Sequence, residues 1–139
     1  MRTIDYTIEV ELEAEKGFAD ITAKVQEIIS KSGMKRGIAV VFNVGSTGAV
    51  TTMEFEPGLK KDIPRALERV APRNESYEHH LTWGDDNGAA HVRAALLGPS
   101  LVVPFVNGRL TLGTWQQIVI INFDTRRRRR RVVVMLLGE

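Results

Sequence analysis

The chain has 139 residues, of which 43% are hydrophobic and 26% are charged. These values are ordinary for a soluble globular protein with one core, and no apolar run reaches the roughly 20 residues that a membrane-spanning helix needs. Because there is no cysteine, disulfides, thiolate nucleophiles and thiolate metal sites are excluded. The N-terminus has no apolar signal core, so we expect one cytoplasmic domain over residues 1–139.

Positive charge is concentrated near the C-terminus. The formal net charge is +2, and Arg126 to Arg131 supply six of the 19 basic residues. Outside this arginine run, 13 basic residues stand against 17 acidic ones, so the chain is not basic throughout. The absence of cysteine and the heavy use of arginine are compatible with a thermophilic source.

Three strands and one helix are predicted in the first part of the chain. Residues 3–13 alternate between apolar and acidic side chains, as in a half-exposed antiparallel strand. Apolar residues then recur at helical spacing from Phe18, and Gly33 gives a stop, which predicts a helix between them. Residues 37–44 predict a buried strand, and residues 49–55 predict a second one after a glycine-rich turn.

The rest of the chain predicts two more helices and a group of strands. A helix pattern runs from Leu59 to Val70, and we expect it to start or kink near Pro64. Residues 73–87 are polar and loop-like, and residues 88–97 predict a short helix. Four strands follow, over residues 100–106, 109–112, 115–123 and 129–137. The predicted class is α+β, with a mainly antiparallel sheet and two to three helices.

The polar loop and the helix after it hold all three histidines, His79, His80 and His91. Without cysteine, only imidazole can bind a borderline metal such as zinc, and His79 and His91 are compatible with one site. The alternative is that His79 or His80 is exposed and that His91 fills a contact between helix and sheet.

Two features of the central strands are candidates for chemistry. If the face of the strand that carries Glu54 lines a cleft, Glu54 is a candidate general base or metal ligand; if the other face packs inward, Glu54 is only exposed. The turn before that strand offers the hydroxyls of Ser46 and Thr47 and free backbone N–H groups, which can cradle an anion. It lacks the lysine and the spacing of a P-loop.

Polar groups also cluster where the strand over residues 115–123 begins. Trp115, Gln116 and Gln117 carry an indole N–H and two amides that must find hydrogen-bond partners. Such groups at the end of an apolar strand are typical of a small-molecule pocket. The alternative is that Trp115 caps the core while the amides face solvent.

On a strand, alternate arginines of the run project to opposite sides, so the positive patch is split. We expect some of them to pair with the acidic face of the first strand or to bind an anionic ligand. Because no aromatic residues are interleaved with the run, it does not favour nucleic-acid binding.

Five segments form an ordered set of motifs: Tyr77-Glu78-His79, Asp86 to Ala94, Gly98-Pro99-Ser100, Val103-Pro104-Phe105 and Gly108 to Gln117. This set covers nearly the whole chain and resembles the YjbQ family, whose members are also labelled secondary thiamine-phosphate synthase-like proteins. The resemblance implies an α+β sandwich that assembles as a homotrimer, with a polar cleft near the subunit boundary. It also implies weak thiamine-phosphate synthase activity, which joins a pyrimidine pyrophosphate to a thiazole phosphate. The departing pyrophosphate then needs Mg²⁺ or arginine.

The chain departs from the family pattern at Gly45 and Ala89, where many members carry histidine. This resembles a variant branch of the family. The loss reduces any Zn or Mg site to His79 and His91, completed by Glu54 or water.

Together these observations give one leading hypothesis, a cytoplasmic homotrimer whose cleft binds a phosphorylated small molecule. The catalytic candidates are Glu54, His91 and His79. The ligand-binding candidates are Ser46, Thr47, Asn87, Arg109, Trp115, Gln116 and Arg128. The alternatives are a non-catalytic binding or assembly module that uses the arginine run for a protein or RNA partner, and a trimer whose clefts have lost their chemistry.

Overall fold

Eight strands and four helices make up the protein, and the computed structural model describes residues 1–139. The strands are β1 (Arg2–Leu12), β2 (Gly17–Asp20), β3 (Arg36–Val44), β4 (Gly48–Met53), β5 (Ser100–Val106), β6 (Arg109–Leu110), β7 (Gln117–Asn122) and β8 (Arg128–Gly138). The helices are α1 (Thr22–Ser32), α2 (Leu59–Val70), α3 (Glu78–Trp83) and α4 (Gly88–Leu97). None of these helices is both long enough and apolar enough to cross a membrane.

All strand pairs are antiparallel and form two sheets. One sheet has five strands in the order β1-β8-β3-β5-β6, and the other has three in the order β2-β7-β4. The main core lies between the inner face of the five-stranded sheet, α1 and the three-stranded sheet. A second cluster packs α2 and α4 against the other side of the three-stranded sheet. Because β7 is covered on both faces, its four central residues, Ile118 to Ile121, are all apolar and buried. The predicted α+β class is confirmed, with one helix more than expected.

The predicted start of the first helix is wrong. Phe18 lies in β2, where it pairs with Ile121 of β7. The helix begins only at Thr22, whose backbone N–H donates to Asp20 Oδ1 at 2.9 Å. Strand pairing and this local hydrogen bond therefore override the helical spacing of the apolar residues.

Helix α2 starts before its proline. The carboxylate of Glu56 accepts hydrogen bonds from the backbone N–H groups of Gly58 and Leu59, which fixes the first turn. Pro64 lies inside the helix, beyond the first turn, where its ring removes one backbone hydrogen bond. The loop predicted for residues 73–87 also contains α3, a helix with no buried residue.

The outer face of the five-stranded sheet is apolar where β3, β5 and β8 lie side by side. Its side chains alternate with the buried ones along each strand. We define the outer face by Ile38, Val40, Phe42, Val44, Val102, Pro104, Val106, Val133, Met135 and Leu137. Several of these are exposed, from 37% for Ile38 to 57% for Val102.

Candidate functional site

A cleft of about 570 Å³ lies between the sheets and the helices α3 and α4. Its sheet wall comes from the turn between β3 and β4, from Asp124 and from the start of β8. Its helical wall is formed by His79, Trp83, Asp85, Asn87 and His91. The lining is mainly polar, and its volume is in the range of small-molecule sites.

Asp124 organises the sheet wall. It is 1% exposed and follows the end of β7. Thr47 Oγ1 donates to its Oδ2 at 2.8 Å, Arg128 Nε donates to the same oxygen at 3.0 Å, and the Arg126 N–H donates to Oδ1 at 2.9 Å. Burial alone would raise the pKa of Asp124, but these hydrogen bonds outweigh it and lower the pKa. Asp124 is therefore an ionised carboxylate whose oxygens are already used, which suits positioning rather than proton transfer.

Arg130 is a buried cation in the same wall. Its side chain is 5% exposed, and its Nη2 donates to Thr47 Oγ1 at 2.7 Å and to Asn122 Oδ1 at 2.6 Å. Both partners are neutral, no carboxylate lies within ion-pair distance, and Nε has no hydrogen-bond partner. Burial lowers the pKa of Arg130, although a guanidinium remains protonated at neutral pH. Asp124 is the carboxylate that offsets this charge, through Thr47 Oγ1, and Arg128 also binds Asp124, so the three residues together carry one net positive charge.

Two glycines make room for this guanidinium. A Cβ on Gly45 would lie 2.7 Å from Arg130 Nη1, and a Cβ on Gly48 would lie 2.9 Å from Arg130 Nε. Gly45 also has φ of +146°, which side-chain-bearing residues rarely adopt. The turn thus serves to admit Arg130, while Ser46 beside it lines the cleft.

The helical wall is built from aromatic and hydrogen-bond contacts. The rings of His79 and His91 lie 4.3 Å apart between centroids, and His79 Nδ1 is 3.1 Å from Asp85 Oδ1. Asn87 precedes α4, and its Oδ1 accepts a hydrogen bond from the Thr125 N–H at 3.2 Å. This last bond ties the helical wall to the sheet wall.

Burial lowers the pKa of His91, and the neighbouring His79 acts in the same direction, while Asp85 and Asp124 oppose them. His91 is therefore neutral at physiological pH, with a ring that can accept or donate a hydrogen bond. His91 is half-buried and lines the cleft, so it is accessible to a ligand even where it also fills a contact between helix and sheet.

We expect acid to destabilise the protein through His91. Since its folded-state pKa is lower than the ordinary 6.5, the folded state binds fewer protons than the unfolded chain as the pH falls below that value. The free energy of unfolding from urea titrations should therefore fall between about pH 7 and about pH 5. His91→Gln should flatten this part of the profile. If the free energy of unfolding of His91→Gln falls with pH as steeply as that of the wild type, His91 is not the cause of the acid destabilisation.

The cleft does not have the donors of a metal site. Structural and catalytic zinc sites use at least three protein ligands, but no three His, Asp or Glu side chains are placed to hold a metal ion. His79 and His91 are stacked on each other, and Glu54, the expected third ligand, is not in the cleft. The residues present therefore do not fit the Zn or Mg site predicted from His79 and His91.

Four predicted site residues lie outside the cleft. Glu54 is exposed just beyond the far end of β4, about 20 Å along the strand from Gly48, which follows Thr47 of the cleft. Arg109 is exposed in β6, and Trp115 is 73% exposed in the loop before β7. Gln116 donates to Thr52 Oγ1 at 3.3 Å in a second groove. The structure thus brings together Ser46, Thr47, His79, Asn87, His91 and Arg128, and does not join Glu54, Arg109, Trp115 and Gln116 to them.

The arginine run is divided between two surfaces, as its alternation predicts. Arg127 pairs with Glu11 at 3.3 Å and Arg129 pairs with Glu9 at 2.9 Å, on the solvent side of β1 and β8. Arg128 and Arg130 lie on the other side, toward the cleft, and Arg129 also lines part of the cleft. Pairing with the glutamates leaves less free positive charge for a nucleic acid.

Asp124 and Arg130 are the site residues that the sequence alone did not single out. The spacing of Arg128 and Arg130 predicts that both share one side of β8, but it gives no sign that Arg130 is buried. A buried aspartate at the end of an apolar strand gives an equally weak signal. Trp83 and Asp85 were also missed, because they lie in a segment without periodicity.

The comparisons with known proteins agree with this architecture. A model of the family described as UPF0047 protein YjbQ-like matches residues 6–139. The chain belongs to this family. A UPF0047 protein of Methanothermobacter thermautotrophicus is 42% identical over 105 residues, which are 76% of this chain and 72% of the relative. A UPF0047 protein of Archaeoglobus fulgidus is 38% identical over 105 residues, covering 76% of this chain and 79% of the relative.

Solved structures of family members have the same fold. A YbjQ-like protein of unknown function from Sulfolobus solfataricus superposes with a TM-score of 0.88 at 35% identity, over 99% of this chain and 100% of that one. A hypothetical protein from Aeropyrum pernix gives a TM-score of 0.88 at 37% identity, over the full length of both chains. The α+β YjbQ-like fold is thus confirmed, and thermophilic organisms are among the sources of the relatives.

Proposed function

We propose that the cleft binds the phosphate group of a small phosphorylated molecule, and that the protein is a weak transferase of the thiamine-phosphate synthase type. The observation that supports this most strongly is the buried guanidinium of Arg130, whose hydrogen-bond partners are both neutral. Asp124 is one carboxylate against the two guanidinium groups of Arg128 and Arg130, so this cluster carries one net positive charge. A phosphate in the cleft would supply the missing negative charge.

Arg128 extends the same site. Its Nε is held by Asp124, which leaves the other guanidinium nitrogens free to reach a second phosphate oxygen. Arginine is suited to this task because its planar fork of donors matches phosphate geometry. Asp124 therefore positions Arg128, and Thr47 positions Arg130, so that both guanidinium groups lie at the same phosphate site.

In a transferase of this type, the thiazole nitrogen forms a C–N bond as the C–O bond to pyrophosphate breaks, and pyrophosphate leaves with the electron pair. Arg128 and Arg130 would stabilise the charge that develops on the leaving oxygen. His91, neutral and stacked on His79, would donate a hydrogen bond to a phosphate oxygen or to the acceptor substrate. Glu54 has no part in this scheme, since it lies outside the cleft.

Calorimetric titration with pyrophosphate tests the anion site. We expect Arg130→Gln and Arg128→Gln each to weaken binding by about 10- to 150-fold, because hydrogen bonds to a charged group contribute about 1.5–3 kcal/mol. Arg109→Gln is the matched control, since Arg109 is an exposed arginine outside the cleft. If pyrophosphate binds equally well to all four proteins, or to none of them, the proposal is wrong. Formation of thiamine phosphate from the two precursors tests the reaction itself.

We also propose that the protein is a homotrimer whose clefts lie near the subunit boundaries. The outer face groups exposed apolar side chains on three adjacent strands, among them Phe42, Val102 and Met135, and a contiguous apolar patch of this kind favours burial against other copies. Val44 belongs to the outer face and also lines the cleft. A copy packed on the outer face would therefore border the cleft.

A further inference from the structure

Trp83 is an aromatic side chain with no role in the core. It ends α3, lies on the helical wall of the cleft and is 73% exposed. Apart from Val44 it is the only hydrophobic residue of the lining. A large apolar ring left in water beside a polar cleft is available for a ligand to cover.

The backbone that carries Trp83 is held in place by the cleft residues themselves. The ring of His79, one turn earlier in α3, stacks on His91 of α4. His80 Nε2 accepts a hydrogen bond from the Gly88 N–H at 3.1 Å, which joins α3 to the start of α4. Gly84 then ends the helix in the left-handed conformation. These contacts position the indole, although none of them buries it.

The two walls of the cleft differ in chemistry. The sheet wall offers the guanidinium groups of Arg128 and Arg130, and the helical wall offers the indole. A cleft of about 570 Å³ is much larger than a phosphate group, so a ligand held by the arginines extends toward α3. We propose that Trp83 determines specificity, by stacking on a planar ring carried by the phosphorylated ligand. This inference rests on the proposed phosphate site.

The chain contains its own control for this proposal. It has two tryptophans, and Trp115 is also 73% exposed but lies in the loop before β7, outside the cleft. Trp115→Phe leaves Trp83 as the only indole, so the fluorescence of that variant reports on the cleft. Trp83→Phe leaves Trp115 as the only indole and gives the matched reference signal.

The test compares two phosphate esters, uridine 5′-monophosphate and ribose 5-phosphate. Both carry a phosphate on ribose, but only the nucleotide carries a planar base. We expect the nucleotide to bind more tightly and to quench the emission of Trp115→Phe, and to leave that of Trp83→Phe unchanged. Trp83→Ala should weaken nucleotide binding by about 5- to 150-fold, the effect of losing one stacked base. Trp83→Phe should keep most of the affinity. Binding of ribose 5-phosphate should change less than twofold in every Trp83 variant.

The possible failures can be told apart. If both esters bind equally well to the wild type, or if Trp83→Ala weakens both equally, the role of Trp83 is overturned while the phosphate site stands. If neither ester nor pyrophosphate binds, the phosphate site fails and the role of Trp83 fails with it. If Trp115→Ala reduces nucleotide binding as strongly as Trp83→Ala, the stacking residue has been assigned to the wrong loop.

Discussion

Asp124→Asn should lower the free energy of unfolding by about 2–4 kcal/mol, because it leaves buried donors without an acceptor. The Asp124 carboxylate accepts from Thr47, from the Arg126 N–H and from Arg128. The asparagine side chain has the same shape but only one acceptor oxygen. Its NH₂ group would face one of these donors and could not accept a hydrogen bond from it. The same variant should weaken pyrophosphate binding, since Arg128 loses the group that positions it.

The matched control is Asp62→Asn. Asp62 is 63% exposed and lies 3.7 Å from Arg65 on the surface of α2, so its loss should change stability by less than about 0.5 kcal/mol. Urea unfolding at neutral pH compares the two variants with the wild type. An effect of Asp124→Asn as small as that of Asp62→Asn would contradict the organising role of this carboxylate.

Acid should abolish the difference between Asp124→Asn and the wild type. The pKa of Asp124 is lower in the folded state than its ordinary value of 3.8. Its stabilising contribution is therefore fully present above that value and is lost as the pH falls through the folded-state pKa. The two unfolding curves should converge in strong acid. A constant gap at all pH values would mean that packing, rather than charge, causes the effect.

The sequence predicts most of the fold because most elements have a strong local pattern. The alternation in β1 and the apolar run of β3 are present in the structure within one or two residues of their predicted ends. The helix that begins near Gly88 is confirmed as well. Phe18 is the main error, because its spacing to the following apolar residues fits a helix and only pairing with β7 makes it a strand residue. Pairing between strands that are distant in the sequence leaves no pattern in the local sequence of either strand.

Helix α3 was missed for a different reason. None of its residues is buried, so it has no hydrophobic periodicity to detect. Its position depends on contacts with α4, such as the stacking of His79 on His91. Hydrophobic periodicity arises from burial. A helix that is held at the surface by polar and aromatic contacts therefore has no such periodicity in its sequence.

The candidate site was predictable only in part, since its contacts are long-range. Thr47 and Asp124 are 77 residues apart in the chain, and Thr47 and Arg130 are 83 apart. Residue type predicted Thr47 and Arg128 as ligand-binding residues, but the burial of Arg130 follows from the room left by Gly45. Glu54 was misplaced because alternation fixes the side of a strand and not its distance from a cleft.

We expect the protein to form a homotrimer whose subunits contact one another through the outer face. Light scattering on the wild type should give a mass three times the 15.5 kDa of one chain. Val102→Asp and Phe42→Asp each place a charge in the apolar outer face, where its burial without a partner is costly. We expect either variant to run as a monomer with its secondary structure intact.

Leu96→Asp is the matched control, since Leu96 is also an apolar residue and is 57% exposed, like Val102, but lies on α4. It should remain a trimer. A monomeric wild type would contradict the proposal, and so would a Val102→Asp variant that keeps the wild-type mass. Because Val44 belongs to the outer face and also lines the cleft, monomeric variants should bind pyrophosphate more weakly than Leu96→Asp does. Equal pyrophosphate binding by monomer and trimer would contradict the proposal that the cleft lies near a subunit boundary.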